Sequence, residues 1–175
     1  MNWTKISEKI AYQGWRGIVQ KTFKLPNGKR VAFDIIQSSE FVTIAAFTKK
    51  KEAILVKQFR PGPEVILTSF PEGGIEKGED PKIAAARELL EETGYQAGKI
   101  VFLKKFRHSY STEKQICFLA LDCEKVSTQQ LDHTEFIDVF LLPVEKFKTY
   151  LTDSSDESFT NVEAGYLALA KMGLL

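Results

Sequence analysis

Glu88, Glu91 and Glu92 stand within five residues of one another in the run Arg87-Glu88-Leu89-Leu90-Glu91-Glu92. On a helix turning about 100° per residue, the three carboxylates share an arc of about 100°. Like charges at that spacing destabilise a helix by roughly 0.2–0.5 kcal/mol per pair, and a hard divalent cation reverses the sign of that cost. Carboxylate and carbonyl oxygens with an incomplete protein shell favour Mg²⁺ or Mn²⁺, ions that keep waters and bind phosphate oxygens. Zinc does not fit, because neither His108 nor His133 sits at ligand spacing with a cysteine. Taken alone, a glutamate pair on a helix is a solvated face, so the surrounding residues must decide.

Those residues form a longer pattern. Gly73, Glu79, Arg87, Glu88, Leu89, Glu91, Glu92 and Gly94 fit G-x5-E-x7-R-E-U-x-E-E-x-G-U, where U is a bulky apolar residue. With each fixed residue type at roughly 6–7% usage, a chance match over all windows is on the order of 10⁻⁷. The pattern resembles the Nudix box, with Tyr95 at a last position where an aliphatic residue is commoner. The resemblance implies a loop–helix–loop packed on a mixed β-sheet between helices. It also implies hydrolysis of a nucleoside diphosphate linked to another moiety. By the same resemblance Glu88, Glu91 and Glu92 are metal ligands, Arg87 orients them by pairing with Glu91, and Glu79 supports Glu88 from the loop. Gly73 and Gly74 would let the chain approach the metal, and the backbone carbonyl near Glu72 would add a ligand. The chemistry is consistent: a pyrophosphate repels nucleophiles, Mg²⁺ (or Mn²⁺) neutralises it and acidifies a bound water, and a carboxylate takes the proton.

The resemblance runs over roughly residues 10–172 and is closest to the ADP-ribose pyrophosphatase branch. Phe23 to Arg30 is similar to that branch's leading hairpin, and Ile54 to Pro61 to its strand before the box. Thr134 to Pro143 is similar to its loop and final strand, and Asn161 to Tyr166 to its closing helix. The resemblance implies an N-terminal β-subdomain, residues 1–40, that builds a homodimer and helps bind adenosine, followed by a Nudix domain at 41–175. Two positions depart from the branch: Pro71-Glu72-Gly73 stands where Pro-Ala-Gly is usual, and Tyr110 where a proline is. A tyrosine there is more typical of dinucleoside polyphosphate hydrolases. The general base is expected on the polar segment 127–135, a mobile loop, where Glu135 best matches that branch's loop glutamate and Asp132 comes next; Glu113, outside the segment, is third.

Other candidates each carry two readings. Trp15 either stacks on a base or is a strand residue in the core or a dimer contact. Arg60, and more weakly Arg30, binds a phosphate or ribose or forms a surface ion pair. His108 and Tyr110 line the substrate side or merely end a strand, and Cys117 is a small core residue. Three functions remain open: a Mg²⁺-dependent pyrophosphatase of ADP-ribose or a related nucleoside diphosphate sugar, a hydrolase of dinucleoside polyphosphates or damaged nucleotides, or a catalytically silent nucleotide sensor. Silent relatives commonly lose box carboxylates, and this chain keeps them all.

Composition frames these readings. The 175 residues are 43% hydrophobic and 11% aromatic, enough for a sizeable core. The net charge of +1 argues against a nucleic-acid-backbone binder, yet it is unevenly spread. Residues 1–70 carry +7, 71–95 carry −4 and 96–175 carry −2, which places a cation-seeking window beside an anion-seeking one. No apolar run approaches a membrane span, no signal-peptide core opens the chain, and Cys117 and Cys123 form no disulfide framework. A cytoplasmic protein is expected.

Strand-like stretches are predicted at 15–24, 30–37, 41–48 and 53–60, then at about 99–106, 114–121 and 135–142. Pro26-Asn27-Gly28 marks a hairpin turn, and Lys49-Lys50-Lys51 an exposed tip. A helix spans 81–93, capped by Asp80, opened by Pro81 and ended by Gly94, with Ile83, Ala86, Leu89 and Leu90 as its apolar face. Two more helices follow near 143–151 and 160–172. Strands early and helices late make an α+β protein.

Overall fold

The computed structural model describes residues 2–175, which form two compact units. The first comprises the chain up to Glu40 together with Phe106–Gln115; the second comprises Phe41–Lys105 and Ile116–Leu175. Among the described residues, no helix is long and apolar enough to cross a membrane.

The first unit is built on an antiparallel meander of β1 (Thr4–Gln13), β2 (Gly17–Lys24) and β3 (Arg30–Gln37). Asn27 and Gly28 turn β2 into β3: Gly28 has φ +83°, and Asn27 Oδ1 accepts from the Lys29 amide at 3.1 Å. The expected strand at 15–24 is shorter than predicted, because residues 14–16 form a bend and a further strand, β1, precedes it. β1 escapes a hydrophobicity reading because its apolar residues are interleaved with Lys, Ser, Glu and Gln and all ten residues stay exposed. Trp3, Phe23 and Phe33 form an aromatic cluster with centroids 5.8–6.2 Å apart.

The second unit carries β4 (Phe41–Thr48), β5 (Glu52–Arg60), β6 (Val65–Ser69), β7 (Glu72–Gly74), α1 (Pro81–Thr93) and β8 (Tyr95–Gln96). β9 (Lys99–Arg107) and β10 (Lys114–Lys125) follow, then β11 (Ile137–Pro143), α2 (Val144–Thr152) and α3 (Val162–Lys171). The sheet runs β11-β5-β4-β10-β8, with β6 paired to β5, β7 to β4 and β9 to β10. β4 reads as a continuous apolar run because both its faces are covered. Val42, Ile44 and Ala46 join a core with Ala84, Ala85 and Leu89 of α1. On the opposite face Phe47 meets Phe147 of α2 at 6.0 Å and Phe70 at 6.2 Å. The short strands β6, β7 and β8 fall outside the predicted set: four of their ten residues are glycine, serine or threonine, which break the pattern, and two of the strands are three residues or fewer.

Helix α1 corrects the predicted apolar face. Ile83 is 63% exposed and Ala86 is exposed, whereas Ala84, Ala85, Leu89, Glu92 and Thr93 are buried. The helix thus turns its carboxylate side partly inward. Full burial of Leu89 stabilises by about 1.5–3 kcal/mol, and it carries Glu92, one turn-step away, into the protein with it.

Candidate active site

The ends of α1 are set locally. Asp80 Oδ1 accepts from the Lys82 amide at 2.8 Å, Pro81 occupies the first turn, and Gly94 closes the helix at φ +73° with its N–H on Leu90 O. Only glycine fits there, since a Cβ would also lie 2.2 Å from the Ser127 carbonyl oxygen.

Arg87 is the hub of the site. Its Nε and Nη2 donate to the two oxygens of Glu79, each at 3.0 Å. Nη1 donates to Glu88 Oε1 at 2.8 Å and to Glu91 Oε2 at 2.9 Å, and Nη2 also reaches Gly74 O at 3.0 Å. Glu79 therefore holds Arg87 and the Glu76 amide, and its link to Glu88 from the loop runs through Arg87. The guanidinium beside Glu79 holds that carboxyl below its ordinary value, and the surrounding carboxylates raise Arg87.

Glu88 and Glu92 are pushed the other way. Burial raises Glu88 despite Arg87, and it raises Glu92, 4% exposed, well above the usual range. The Glu92 charge is further opposed by Glu88, Glu72 and Glu135, while the Glu72 amide donates to Glu92 Oε2 at 3.0 Å. Gly73 packs directly on this group: a Cβ there would fall 2.0–2.3 Å from the Glu88 carboxylate. At Gly74 a Cβ would meet nothing within 4 Å, so its contribution is the carbonyl that Arg87 binds, not room.

Among the described residues, no three His, Cys, Asp or Glu side chains converge on one ready-made metal position. One oxygen of each box glutamate is taken up: Oε1 of Glu88 and Oε2 of Glu91 by Arg87, and Oε2 of Glu92 by the Glu72 amide. The second oxygen of each carries no hydrogen bond among the described residues. Hard anionic oxygens, partly buried and mutually repelling, fit a hard divalent cation.

The ligand expected near Glu72 is a backbone carbonyl, and the Glu72 side chain is engaged separately. Its Oε1 accepts from Arg60 Nη2 at 2.7 Å and its Oε2 from Asn161 Nδ2 at 3.1 Å. Arg60 thus makes an ion pair, with its side chain still 36% exposed. The segment 127–135, expected as a mobile loop, is tied to the end of α1 through its first half. The Gln130 amide donates to Glu91 O at 2.8 Å, and Gln129 Nε2 donates to Glu92 O at 2.7 Å and Ile137 O at 3.0 Å. At its tip Glu135 is half-buried and accepts the Asp132 amide at 3.1 Å, close enough for its charge to bear on both Glu88 and Glu92.

The remaining candidates lie in the first unit, except Cys117, which lies on β10 in the second. Trp15 is 92% exposed on the β1–β2 bend, with Arg16 stacked 5.2 Å from its ring centroid, so it is no core residue. A groove of about 510 Å³ opens beside it, lined by Arg16, Gln37, Ser38, Ser39 and Thr112. Arg30 pairs with Lys24 at the other end of β2, about 23 Å along the strand, so the two cannot hold one small ligand within the unit. Tyr110 is exposed, 6.4 Å from the Phe33 ring. Glu113 bonds Ser38 at 3.2 Å and lies 3.6 Å from Arg16, and Cys117 is buried, its thiol raised to about 12. Gln129 and Asn161 escaped the sequence reading. Asn161 had one signal: it occupies the position before α3 where asparagine usually caps, yet makes no capping bond.

The family model described as the NUDIX domain matches residues 40–162. A methanol dehydrogenase activator of Bacillus methanolicus is 31% identical over 150 residues, 83% of this chain and 81% of that protein. An ADP-ribose pyrophosphatase of Bacillus subtilis (strain 168) is 37% identical over 125 residues, 70% of this chain and 68% of that protein. A crystal structure of an ADP compounds hydrolase superposes with a TM-score of 0.86 at 25% identity, covering 100% of this chain and 98% of that one.

Proposed function

Because this chain belongs to the Nudix family, and because its box helix carries Glu92 into the protein among like charges, we propose that it is a pyrophosphatase of ADP-ribose or a related nucleoside diphosphate sugar. The products are AMP, or the corresponding nucleoside monophosphate, and a sugar phosphate. The observation that carries this reading is the Glu88–Glu91–Glu92 group, the first two held by Arg87 and the third by the Glu72 amide, whose free oxygens and repulsion ask for a cation.

Mg²⁺ or Mn²⁺ held by Glu88, Glu91 and Glu92 would neutralise phosphate oxygens and acidify a bound water. The chain's own groups do the rest. Arg87, fixed by Glu79, orients Glu88 and Glu91. Glu135, standing near both Glu88 and Glu92 on a loop held by Gln129, takes the proton of the attacking water. Arg60 offers its remaining N–H donors to the substrate's phosphates, because a guanidinium has five and Glu72 uses one at 2.7 Å. The exposed indole of Trp15 is suited to stack on a base. A second copy of the chain would cover Ile6, Ile10 and Tyr12 on β1, which gives a homodimer. The ADP-ribose pyrophosphatase and the ADP compounds hydrolase among its relatives support an ADP-containing substrate.

The deciding experiment incubates the protein and Mg²⁺ with ADP-ribose, other nucleotide sugars, dinucleoside polyphosphates and oxidised nucleotides, and identifies the products. Fastest turnover of ADP-ribose, with AMP released, is expected. Faster turnover of a dinucleoside polyphosphate would move the substrate to that class.

A further inference from the structure

One carboxylate near the box has no place in the chemistry above. Glu72 lies next to Gly73, which already packs on Glu88, and its own amide is committed to Glu92. An extra negative charge beside a buried glutamate is unfavourable unless it is compensated. Both of its oxygens are in fact engaged, Oε1 by Arg60 Nη2 at 2.7 Å and Oε2 by Asn161 Nδ2 at 3.1 Å.

Asn161 is itself fixed. It is 4% exposed, and its Oδ1 accepts the Phe70 amide at 2.8 Å, which dictates that its amide nitrogen faces Glu72. It gives up the cap of α3 to do so, an exchange that costs the helix one satisfied backbone group. Three distant segments, the end of β5, the start of β7 and the entry to α3, are therefore joined through one carboxylate. A surface ion pair would leave Arg60 free to sample many rotamers. A carboxylate held on its far side by a buried amide gives Arg60 a fixed anchor.

We propose that Glu72 is a positioning residue: braced by Asn161, it aims the Arg60 guanidinium at the phosphates of the bound nucleoside diphosphate. The proposal rests on the reading of the site as a nucleoside diphosphate pocket. Pre-orienting a long side chain lowers the ordering cost at binding, so Glu72 acts on substrate affinity through Arg60 and not on the chemical step.

The test is a double-mutant cycle read as KM and kcat for ADP-ribose with Mg²⁺, with thermal unfolding of each variant as the check on folding. Glu72→Ala is expected to raise KM about tenfold with kcat within about threefold, the loss of one charge-assisted contact to a binding group. Arg60→Ala should raise KM at least as much. Adding Glu72→Ala to Arg60→Ala should change KM by less than about twofold, because the partner through which Glu72 acts is gone. Full additivity would overturn the proposal, since Glu72 would then act on the cation or substrate by itself.

The polarity of the brace gives a second arm. Glu72→Gln leaves one acceptor for two donors, so its amide nitrogen opposes either Asn161 Nδ2 or Arg60, and should raise KM. Asn161→Asp in that background restores an acceptor and should recover most of the loss; no recovery counts against the proposal. A wild type that cleaves no nucleoside diphosphate derivative would refute the reading of the site separately. The same cycle is then read on ADP binding by tryptophan fluorescence, where additive effects, or no ADP binding by the wild type at all, overturn the proposal.

Discussion

In the second unit Glu92 is 4% exposed, and in the first unit Trp15 is 92% exposed. Each inverts the usual distribution, in which charge stays in water and large rings leave it. The two inversions have different causes. Glu92 is carried inside because Ala84, Ala85 and Leu89 of the same helix pack on Val42, Ile44 and Ala46. Trp15, with Ile10 and Tyr12, stays outside because a three-stranded meander has too little chain to cover its own apolar surface. The second unit thus holds a charge that lacks its counter-charge, and the first holds apolar surface that lacks a cover. On the proposed reading, a cation meets the first lack, and an aromatic base or a second copy of the chain meets the second.

The comparison is broken most forcefully at Glu92. Glu92→Gln should lower kcat by at least about two orders of magnitude, since an anionic ligand contributes several kcal/mol to charge neutralisation and water activation. In the presence of chelator the same variant should unfold at the same temperature as wild type or a higher one, because a buried repelling charge has been removed. Near-normal turnover at saturating Mg²⁺, or a clear loss of metal-free stability, would mean that Glu92 plays an ordinary structural part.

Glu135 sharpens the same side. Glu135→Gln should reduce kcat about a hundredfold, within the range for loss of a general base, and leave substrate Kd nearly unchanged. A kcat within threefold of wild type would pass the role to Asp132, which shares the same turn. Glu113 is the weaker substitute, since its carboxylate is already bonded to Ser38 and near Arg16.

On the exposed side, the wild type should sediment as a dimer at micromolar concentration. Ile10→Lys should weaken that dimer by about tenfold or more, because a buried isoleucine contributes roughly 1.5–3 kcal/mol. A wild type that sediments only as a monomer would leave the β1 surface to some other partner.

The smallest effect concerns Glu79. Its pKa is depressed in the folded state by Arg87, so its contribution is present above the unfolded carboxyl value near 4.5 and lost as pH falls through the folded value. Glu79→Gln should destabilise by about 1–2 kcal/mol at neutral pH, where the bidentate ion pair is charged, and by progressively less in acid. A gap that persists unchanged to low pH would show that charge is not what the pair contributes.

Local features were legible in the residues alone. The bounds of α1, the Asp80 cap, the Gly94 ending and the Asn27-Gly28 turn all depend on contacts between residues at most a few positions apart, and a sequence displays those directly. The spacing of Arg87 and Glu91 likewise makes them neighbours on any helix, and they are bonded at 2.9 Å. The inward-facing side of α1 was not legible, because Ile83 and Ala86 suggest one face while the close approach of β4 rewards the small Ala84 and Ala85 on another. Nor was β1, whose strand character comes from pairing with β2 and not from its own pattern. Tertiary structure alone joined Arg60, Glu72 and Asn161, since the last two are 89 residues apart and their bond exists only where β7 meets the entry of α3. The sequence by itself determined that Glu88, Glu91 and Glu92 share one arc of α1 within a Nudix-box pattern, because residue type and helical spacing are read directly from the chain. Which carboxylates are buried, braced or left with a free oxygen was decided by tertiary packing, because desolvation and long-range hydrogen bonds have no local signature.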